Sequence, residues 1–340
     1  EAIDRASSVC IFGHISPDGD CLGSALSVRR YIENRKSAAG LPSDEKNSAE
    51  KDPAEKIYEN NREAADIRVY LEEASEKFAY LCGFDRICHE PDEKRSCDLA
   101  IVLDCGDTSR LGKFLPMLKK ARRTLCVDHH VTNEGFAEES LIVPEASSTS
   151  ELVYDLFDES YIDRETAEAV YTGLVHDTGV FRYSCTSPHT MEVAGRCMAK
   201  GIDFGEIIDD SFFSMTKNQK EALGRVLSEM ETALCGKLVI GHIDAAAMEL
   251  YGVTKKEMDG FIDQLRTTRG AMGAVFMYQC KNRTYKVSLR SNTDELNVAE
   301  VAALFGGGGH VRAAGCFMGP DLRGNIEKLV KEIGARLGHE

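Results

Sequence analysis

Several things are scarce in this 340-residue chain, and each scarcity removes a class of function. Nowhere do about 18 apolar residues run together, and residues 1–30 lack a basic start followed by an unbroken apolar stretch. Neither a membrane span nor a secretory signal is therefore expected. Basic charge is also short, with 41 Lys and Arg against 56 Asp and Glu and a formal net charge of −15. A protein that coats long duplex DNA draws its affinity from phosphates neutralised by Lys and Arg, so that role is excluded. Any partner must be small, locally gripped, or not a polyanion. No pair among the 12 cysteines has the CxxC spacing of a structural zinc site. Cys10, Cys126 and Cys316 lie inside apolar runs, where a reduced thiol packs as a small hydrophobe, which points to a reducing compartment, the cytoplasm. Tryptophan is absent, but with 43% hydrophobic and 29% charged residues the composition is that of an ordinary globular protein, and the length suggests two domains.

What is present reads, in the first half, as short apolar runs alternating with helical patterns, the signature of an α/β domain with a mostly parallel sheet. The runs are 8–12, 67–71, 99–103 and 124–127. A helix is predicted from Asp20 to Ile32, because Leu22, Ala25, Leu26 and Ile32 share a face. The stretch 38–66, with eight acidic and four basic residues, is too polar to bury much and reads as a surface insertion with a helix at its end. Helices follow at 148–158, 163–174 and 190–200. After Gly201 the texture changes to one long helix over 217–234, strands over 237–243, 273–280 and 284–289, and helices over 255–265, 297–305 and 325–337. The expected domains are 1–202 and 217–340, joined by a linker over 203–216.

Three of the apolar runs end in His and Asp. The first leads into Gly13-His14-Ile15-Ser16-Pro17-Asp18-Gly19-Asp20, the third into Asp104-Cys105-Gly106-Asp107, and the fourth into Asp128-His129-His130. Ligands of open α/β sheets bind beyond the carboxyl ends of the strands, so these groups should converge. Asp177, in His176-Asp177-Thr178-Gly179, is a fourth candidate. Carboxylates gathered in one place repel unless cations neutralise them, and two divalent metal ions are the economical solution. With oxygen donors in the majority and one or two imidazoles, the set favours Mn²⁺, with Mg²⁺, Co²⁺ or Fe²⁺ as alternatives, over a thiolate zinc site. Taken singly, Asp20 reads equally as a helix cap, His14 as a packed polar residue, and Asp104, Asp107 and Asp128 as turn-formers. Their recurrence at three strand ends is what favours the metal reading.

A second cluster is Phe305-Gly306-Gly307-Gly308-Gly309-His310-Val311-Arg312-Ala313-Ala314-Gly315. Glycines let the backbone approach a ligand and turn N–H groups toward an anion. A flexible linker would not run straight into His-x-Arg-Ala-Ala-Gly and a strand. Arg290, in Ser288-Leu289-Arg290-Ser291, offers a guanidinium for phosphate, although alone it reads as an exposed strand-end charge.

In this order, and closed by Gly306 to His310, the motifs resemble the DHH phosphoesterase family with a C-terminal DHHA1 domain, over nearly the whole chain. The resemblance is strongest to the branch of bacterial nanoRNases (oligoribonucleases) and phosphoadenosine-phosphate phosphatases. It implies an α/β fold: an N-terminal parallel-sheet domain, a smaller C-terminal α/β domain, and an active-site cleft between them. It also implies two metal ions, usually Mn²⁺, one held by His14 and Asp18 and the other by Asp20, His129 and Asp177, with Asp104 bridging. His130 would contact the scissile phosphate and Asp128 would support the histidines, so that His130, Asp104 and Asp128 form the catalytic set. Gly307, Gly308, Gly309, His310 and Arg290 would position substrate phosphates and the terminal nucleotide.

The implied reaction is in-line hydrolysis of short RNA to 5′-mononucleotides, with 3′-phosphoadenosine 5′-phosphate as a further substrate giving AMP. Cyclic di-AMP, or its linear product pApA, is the alternative substrate within the family. A single-strand DNA exonuclease of the superfamily would need room for an OB-fold domain, and a pyrophosphatase would carry a different C-terminal domain. From another class, a non-catalytic nucleotide-binding regulatory protein would have lost ligands, and all are present. Two departures stand out: the 38–66 stretch is longer than the family's usual connection, and Arg312 stands where lysine is expected. Phe181-Arg182-Tyr183 reads equally as a base-stacking platform and as core packing. The partners implied are short single-stranded RNA or a small nucleotide, with no long duplex and no membrane. Association as a homodimer through the N-terminal domain stays open.

Overall fold

The structure, a computed structural model, describes residues 2–39, 66–92, 94–258 and 260–338. The insertion read over 38–66 therefore lies, apart from its ends, outside the described residues. The chain divides into two compact units, Glu1–Phe213 and Ser214–Glu340.

The first unit is built on a parallel sheet of five strands in the order β2-β1-β3-β4-β5, with β1 at Ser8–Phe12, β2 at Asp66–Tyr70, β3 at Leu99–Leu103, β4 at Thr124–Asp128 and β5 at Glu139–Ile142. Alternate side chains of a strand face opposite ways, and both faces are apolar here. Val9 and Ile11 join Leu22, Leu26, Ile32 and Val153 in one core, while Cys10 and Phe12 join Leu111, Phe114 and Met117 in the other. Each of the four predicted runs forms a strand. The fifth strand escapes prediction because Glu139-Ser140-Leu141-Ile142 is short and mostly exposed, so it carries no apolar signal.

The helix predicted over 20–32 spans Gly19–Ala39. Its polar last turns are tied down, Asn34 donating to the Tyr161 carbonyl at 3.0 Å and Lys36 to the Ala6 carbonyl at 2.6 Å. The capping residue is Asp18 rather than Asp20: its Oδ1 accepts the backbone N–H of both Asp20 and Cys21 at 3.1 Å. Within the expected linker, Asp203 caps a helix over Phe204–Ile208 that runs on as a π-turn through Phe213 and buries Ile207. The cysteines, all 12, carry free thiols.

The second unit holds a mixed sheet in the order β10-β11-β9-β8-β7-β6, with β6 at Glu231–Ala233, β7 at Leu238–Ile243, β8 at Gly273–Gln279, β9 at Tyr285–Ser291, β10 at Gly308–His310 and β11 at Ala313–Met318. Helices Val298–Ala303 and Leu322–Arg336 supply Val301, Leu329 and Ile333 to one core, and Lys217–Ser228 and Phe261–Arg266 supply Val226, Phe261 and Leu265 to the other. The single helix expected over 217–234 stops at Ser228. Leu234, Cys235 and Gly236 all take positive φ and reverse the chain, so that β6 pairs antiparallel with β7. Ala233 and Leu234, which continue the apolar pattern past Ser228, belong to that hairpin. Among the described residues, no helix is long and apolar enough to cross a membrane.

Candidate metal centre

The His and Asp groups lie where the parallel sheet puts them, past the carboxyl ends of β1, β3 and β4. His14 follows β1 and donates from Nδ1 to the Ile15 carbonyl at 2.7 Å, which leaves Nε2 facing Asp104 Oδ2 at 3.3 Å and Asp18 Oδ1 at 3.7 Å. Fixing one ring nitrogen in this way sets the tautomer and the orientation of the other. Asp104 follows β3 with φ +52, a backbone conformation unusual for a non-glycine residue and found where geometry is over-determined. Its Oδ1 lies 3.7 Å from His129 Nε2 and 3.6 Å from His130 Nδ1, so the one carboxylate reaches both His14 and the His129 pair.

Asp128, the last residue of β4, is fully buried and spends both oxygens on protein partners. Oδ1 accepts from His130 Nδ1 at 2.7 Å and from the His129 backbone N–H at 2.9 Å, while Oδ2 accepts from Asn133 Nδ2 at 2.7 Å. It is thus an orienting group for the two histidines. His129 Nε2 faces Asp177 Oδ2 at 3.1 Å, and Asp177 is the last residue of the helix Arg164–Asp177.

Asp20 is held by the start of the helix expected over 148–158. The residues Ser147-Ser148-Thr149-Ser150-Glu151 open the helix Thr149–Leu156, with Ser148 as the cap accepting the Glu151 N–H at 3.1 Å. The first N–H groups of a helix have no intrahelical acceptor. Here those of Thr149 and Ser150 go to Asp20, at 2.7 Å to Oδ2 and 2.9 Å to Oδ1. Glu151, itself buried, accepts from Ser147 and Thr190 hydroxyls at 2.6 Å each. The Ser-x-x-Glu spacing before an apolar run was a legible cap signal; its service to Asp20 was not.

Charge is crowded in this space. Burial, reinforced by Asp177 and then Asp104, pushes the Asp20 carboxyl well above the usual range. Burial also lifts Asp177 to about 6, although the hydrogen bond from His129 opposes it. For His14 and His129 burial works downward, but hydrogen bonds to Asp104 and Asp18 in one case and to Asp177 in the other prevail, and each ring is raised to about 10. His130 is raised chiefly by its bond to Asp128. Two sets of donor atoms, each set lying within 4.8 Å of one another, could each hold an ion: a nitrogen, a sulfur and an oxygen of His14, Cys21 and Asp104, and two oxygens and a nitrogen of Asp20, Asp177 and His129. His130 joins Asp104 and His129 in a third overlapping set. Buried carboxylates that raise one another, beside imidazoles aimed at them, are the donor chemistry a divalent cation stabilises, so the residues fit such a group. Asp18 stands at the rim, half-exposed, beside His14.

The residues expected on the substrate side lie in the second unit. Gly308, Gly309 and His310 form the edge strand β10. Register places His310 opposite Ala313, and Ala313 opposite Arg290, so His310 and Arg290 project from one face, two strand spacings or about 10 Å apart, with only a methyl group between them. Arg290 Nη1 donates to the Leu289 carbonyl at 3.2 Å, and its Nε lies 3.9 Å from Asp263. The glycines are not equivalent. A Cβ at Gly307 would strike Gly315 and Cys316, and one at Gly309, where φ is +146, would strike Ala313 and Ala314. At Gly308 a Cβ would meet nothing within 4 Å. Arg312 pairs with Asp294 at 2.7 Å. Phe181 packs beside Tyr171, with centroids 6.0 Å apart, whereas Tyr183 is exposed.

Comparisons with known proteins bear on each unit of the fold. The family model for the DHH family, N-terminal domain, matches residues 8–174, and that for the DHHA1 domain matches residues 242–338. The bifunctional oligoribonuclease and PAP phosphatase NrnA of Thermus thermophilus is 28% identical over 335 residues, covering 97% of this chain and 90% of that protein. Its namesake in Bacillus subtilis is 22% identical, covering 97% of each. The cyclic-di-AMP phosphodiesterase GdpP of Geobacillus thermodenitrificans is 24% identical over 98% of this chain but only 48% of its own length. Among solved structures, an exopolyphosphatase-related protein from Bacteroides fragilis superposes with a TM-score of 0.84 at 22% identity, over 99% of this chain and 96% of that one, which shows a shared fold. With one model over the parallel-sheet unit and the other over the mixed-sheet unit, this chain belongs to the DHH family and carries a DHHA1 domain as its C-terminal part.

Proposed function

We propose that this chain is a hydrolase of phosphate esters that cleaves short RNA oligonucleotides to 5′-mononucleotides and converts 3′-phosphoadenosine 5′-phosphate to AMP, using two divalent cations, Mn²⁺ by preference. The observation that carries the reading is Asp104, whose two oxygens face His14 on one side and the His129–His130 pair on the other. Relatives matched over nearly their whole length are named for these two activities. His14 and Asp18 would hold one ion, Asp20, His129 and Asp177 the other, and Asp104 both. Bound there, such ions supply Lewis acidity and lower the pKa of water, which suits hydrolysis of a phosphate ester at neutral pH.

The remaining work falls to the chain's own groups. Asp128 fixes His130 through Nδ1, leaving Nε2 to donate to a phosphoryl oxygen as negative charge grows on it. Asn133, bonded to Asp128 Oδ2 and to the Cys105 carbonyl, holds that carboxylate in place. In the second unit, Gly307 to Gly309, His310 and Arg290 would grip the substrate phosphates and terminal nucleotide, so a long basic track is unnecessary at net charge −15. Action on a few nucleotides in the cytoplasm also suits a chain whose thiols are free.

A second reading, hydrolysis of cyclic di-AMP or pApA, is favoured by the alignment of nearly all of this chain with half of GdpP. Comparing kcat/KM with Mn²⁺ on a dinucleotide, a pentanucleotide, phosphoadenosine phosphate and cyclic di-AMP separates the two. The proposal expects the first three to lead. Equal trace rates on all four would sink the phosphoesterase reading altogether.

A further inference from the structure

Spacing alone places Cys21 among the packed thiols. The structure puts its sulfur inside the candidate centre: Cys21 Sγ, a ring nitrogen of His14 and a carboxylate oxygen of Asp104 lie within 4.8 Å of one another. All three residues are buried. Two features hold the sulfur there. Cys21 sits in the first turn of the helix Gly19–Ala39, its backbone N–H taken by the Asp18 cap, and across from it stands Gly13, where any Cβ would collide with Sγ. The backbone N–H of His14 donates to the sulfur, a bond that favours the anionic form. A cation at this point offsets the charge of the Asp104 and Asp18 carboxylates that stand beside Cys21.

We propose that Cys21 is a sulfur donor to the cation held by His14 and Asp104, so that the two ion sites differ in softness. The inference rests on the two-cation reading above. The site of Asp20, His129 and Asp177 offers oxygen and nitrogen alone, which suits a hard ion such as Mn²⁺ or Mg²⁺. The site beside Cys21 adds sulfur, which shifts preference toward Zn²⁺ and similar borderline ions. On binding, the S–H bond breaks, a sulfur–metal bond forms, and the proton passes to solvent with no change of oxidation state.

The test uses the full chain, reduced and stripped of metal, titrated with Co²⁺ alone in the absence of oxygen. The unaltered protein should show visible ligand-field bands and a near-ultraviolet sulfur-to-cobalt charge-transfer band. Cys21→Ser and Cys21→Ala, checked for folding by circular dichroism, should keep the former and lose the latter. Their Zn²⁺ affinity should fall by about tenfold or more while Mn²⁺ affinity stays within about twofold. The serine variant preserves side-chain size, so the outcome does not depend on the alanine variant folding. A charge-transfer band that survives both substitutions, or its absence from the unaltered protein despite ligand-field bands, overturns the sulfur assignment and leaves the two-cation reading standing. Absence of both kinds of band overturns the two together.

Discussion

The two units present chemistry in opposite ways. In the first, the groups that matter are buried and held from behind: Asp20 by two backbone N–H groups, Asp128 by His130 and Asn133, His14 by its neighbour's carbonyl. In the second, Gly308, Gly309 and His310 lie exposed on an edge strand. On the proposed function, the difference has a reason: a site for ions costs desolvation and must be rigid before the ion arrives, whereas a surface that would take nucleotide phosphates keeps its N–H groups in water until the ligand takes them.

The largest effect should come from the centre of the first unit. Asp104→Asn keeps the shape and tolerates φ +52, so circular dichroism should not change, yet Mn²⁺-stimulated kcat should fall on the order of 10³-fold. Full retained activity would remove Asp104 from the bridging position. In the second unit the glycines can be set against each other. Gly309→Ala collides with the backbone of β11 and should cost about 1–3 kcal/mol in denaturant unfolding. Gly308→Ala collides with nothing, so it should leave stability alone while raising KM for a dinucleotide about tenfold; Gly308→Arg should do so more strongly. Unchanged affinity in both Gly308 variants would mean that the strand is a structural edge and no cradle.

Smaller effects test the support behind the first unit's site. Glu151→Ala strands the Ser147 and Thr190 hydroxyls and should cost about 1–3 kcal/mol, read by thermal unfolding. Asp163 caps the helix that ends in Asp177, accepting the Thr166 N–H at 2.9 Å. Its removal in Asp163→Ala should cost about 1 kcal/mol at neutral pH and alter turnover little. Burial pushes the Asp163 carboxyl up, but the bonds from Thr166 and Arg30 outweigh it and the folded pKa lies below the ordinary one. A depressed carboxylate stabilises fully above the unfolded pKa and loses that contribution as pH falls through the folded value. The difference between Asp163→Ala and the unaltered protein should therefore shrink in acid; a gap that widens below about pH 4 would contradict the sign.

Much of the first unit was legible because burial on both faces leaves unbroken apolar runs, as in Leu99–Leu103, and because the sheet's polarity then says where Asp104 and Asp128 must point. What escaped depends on contacts distant in sequence. β5 is exposed, and nothing local marks it. Asn133 and the Ser147–Glu151 segment look like loop and cap until Asp128 and Asp20 are brought beside them. Cys21 looked inert because cysteine patterns report pairs near in sequence, while its neighbours are a histidine seven residues back and an aspartate on another strand end. In the second unit the break after Ser228 was hidden, since an apolar hairpin and an amphipathic helix end share the same residue types.

The bonds from Thr149 and Ser150 to Asp20 span 129 and 130 residues of sequence. Those two amides are consequently native reporters. They exchange with solvent deuterium only when the helix start and the Asp20 loop separate, so their protection measures how often the site comes apart. Such a measurement needs neither substrate nor metal, and the increase in protection on adding a cation gives the coupling between ion binding and closure of the fold.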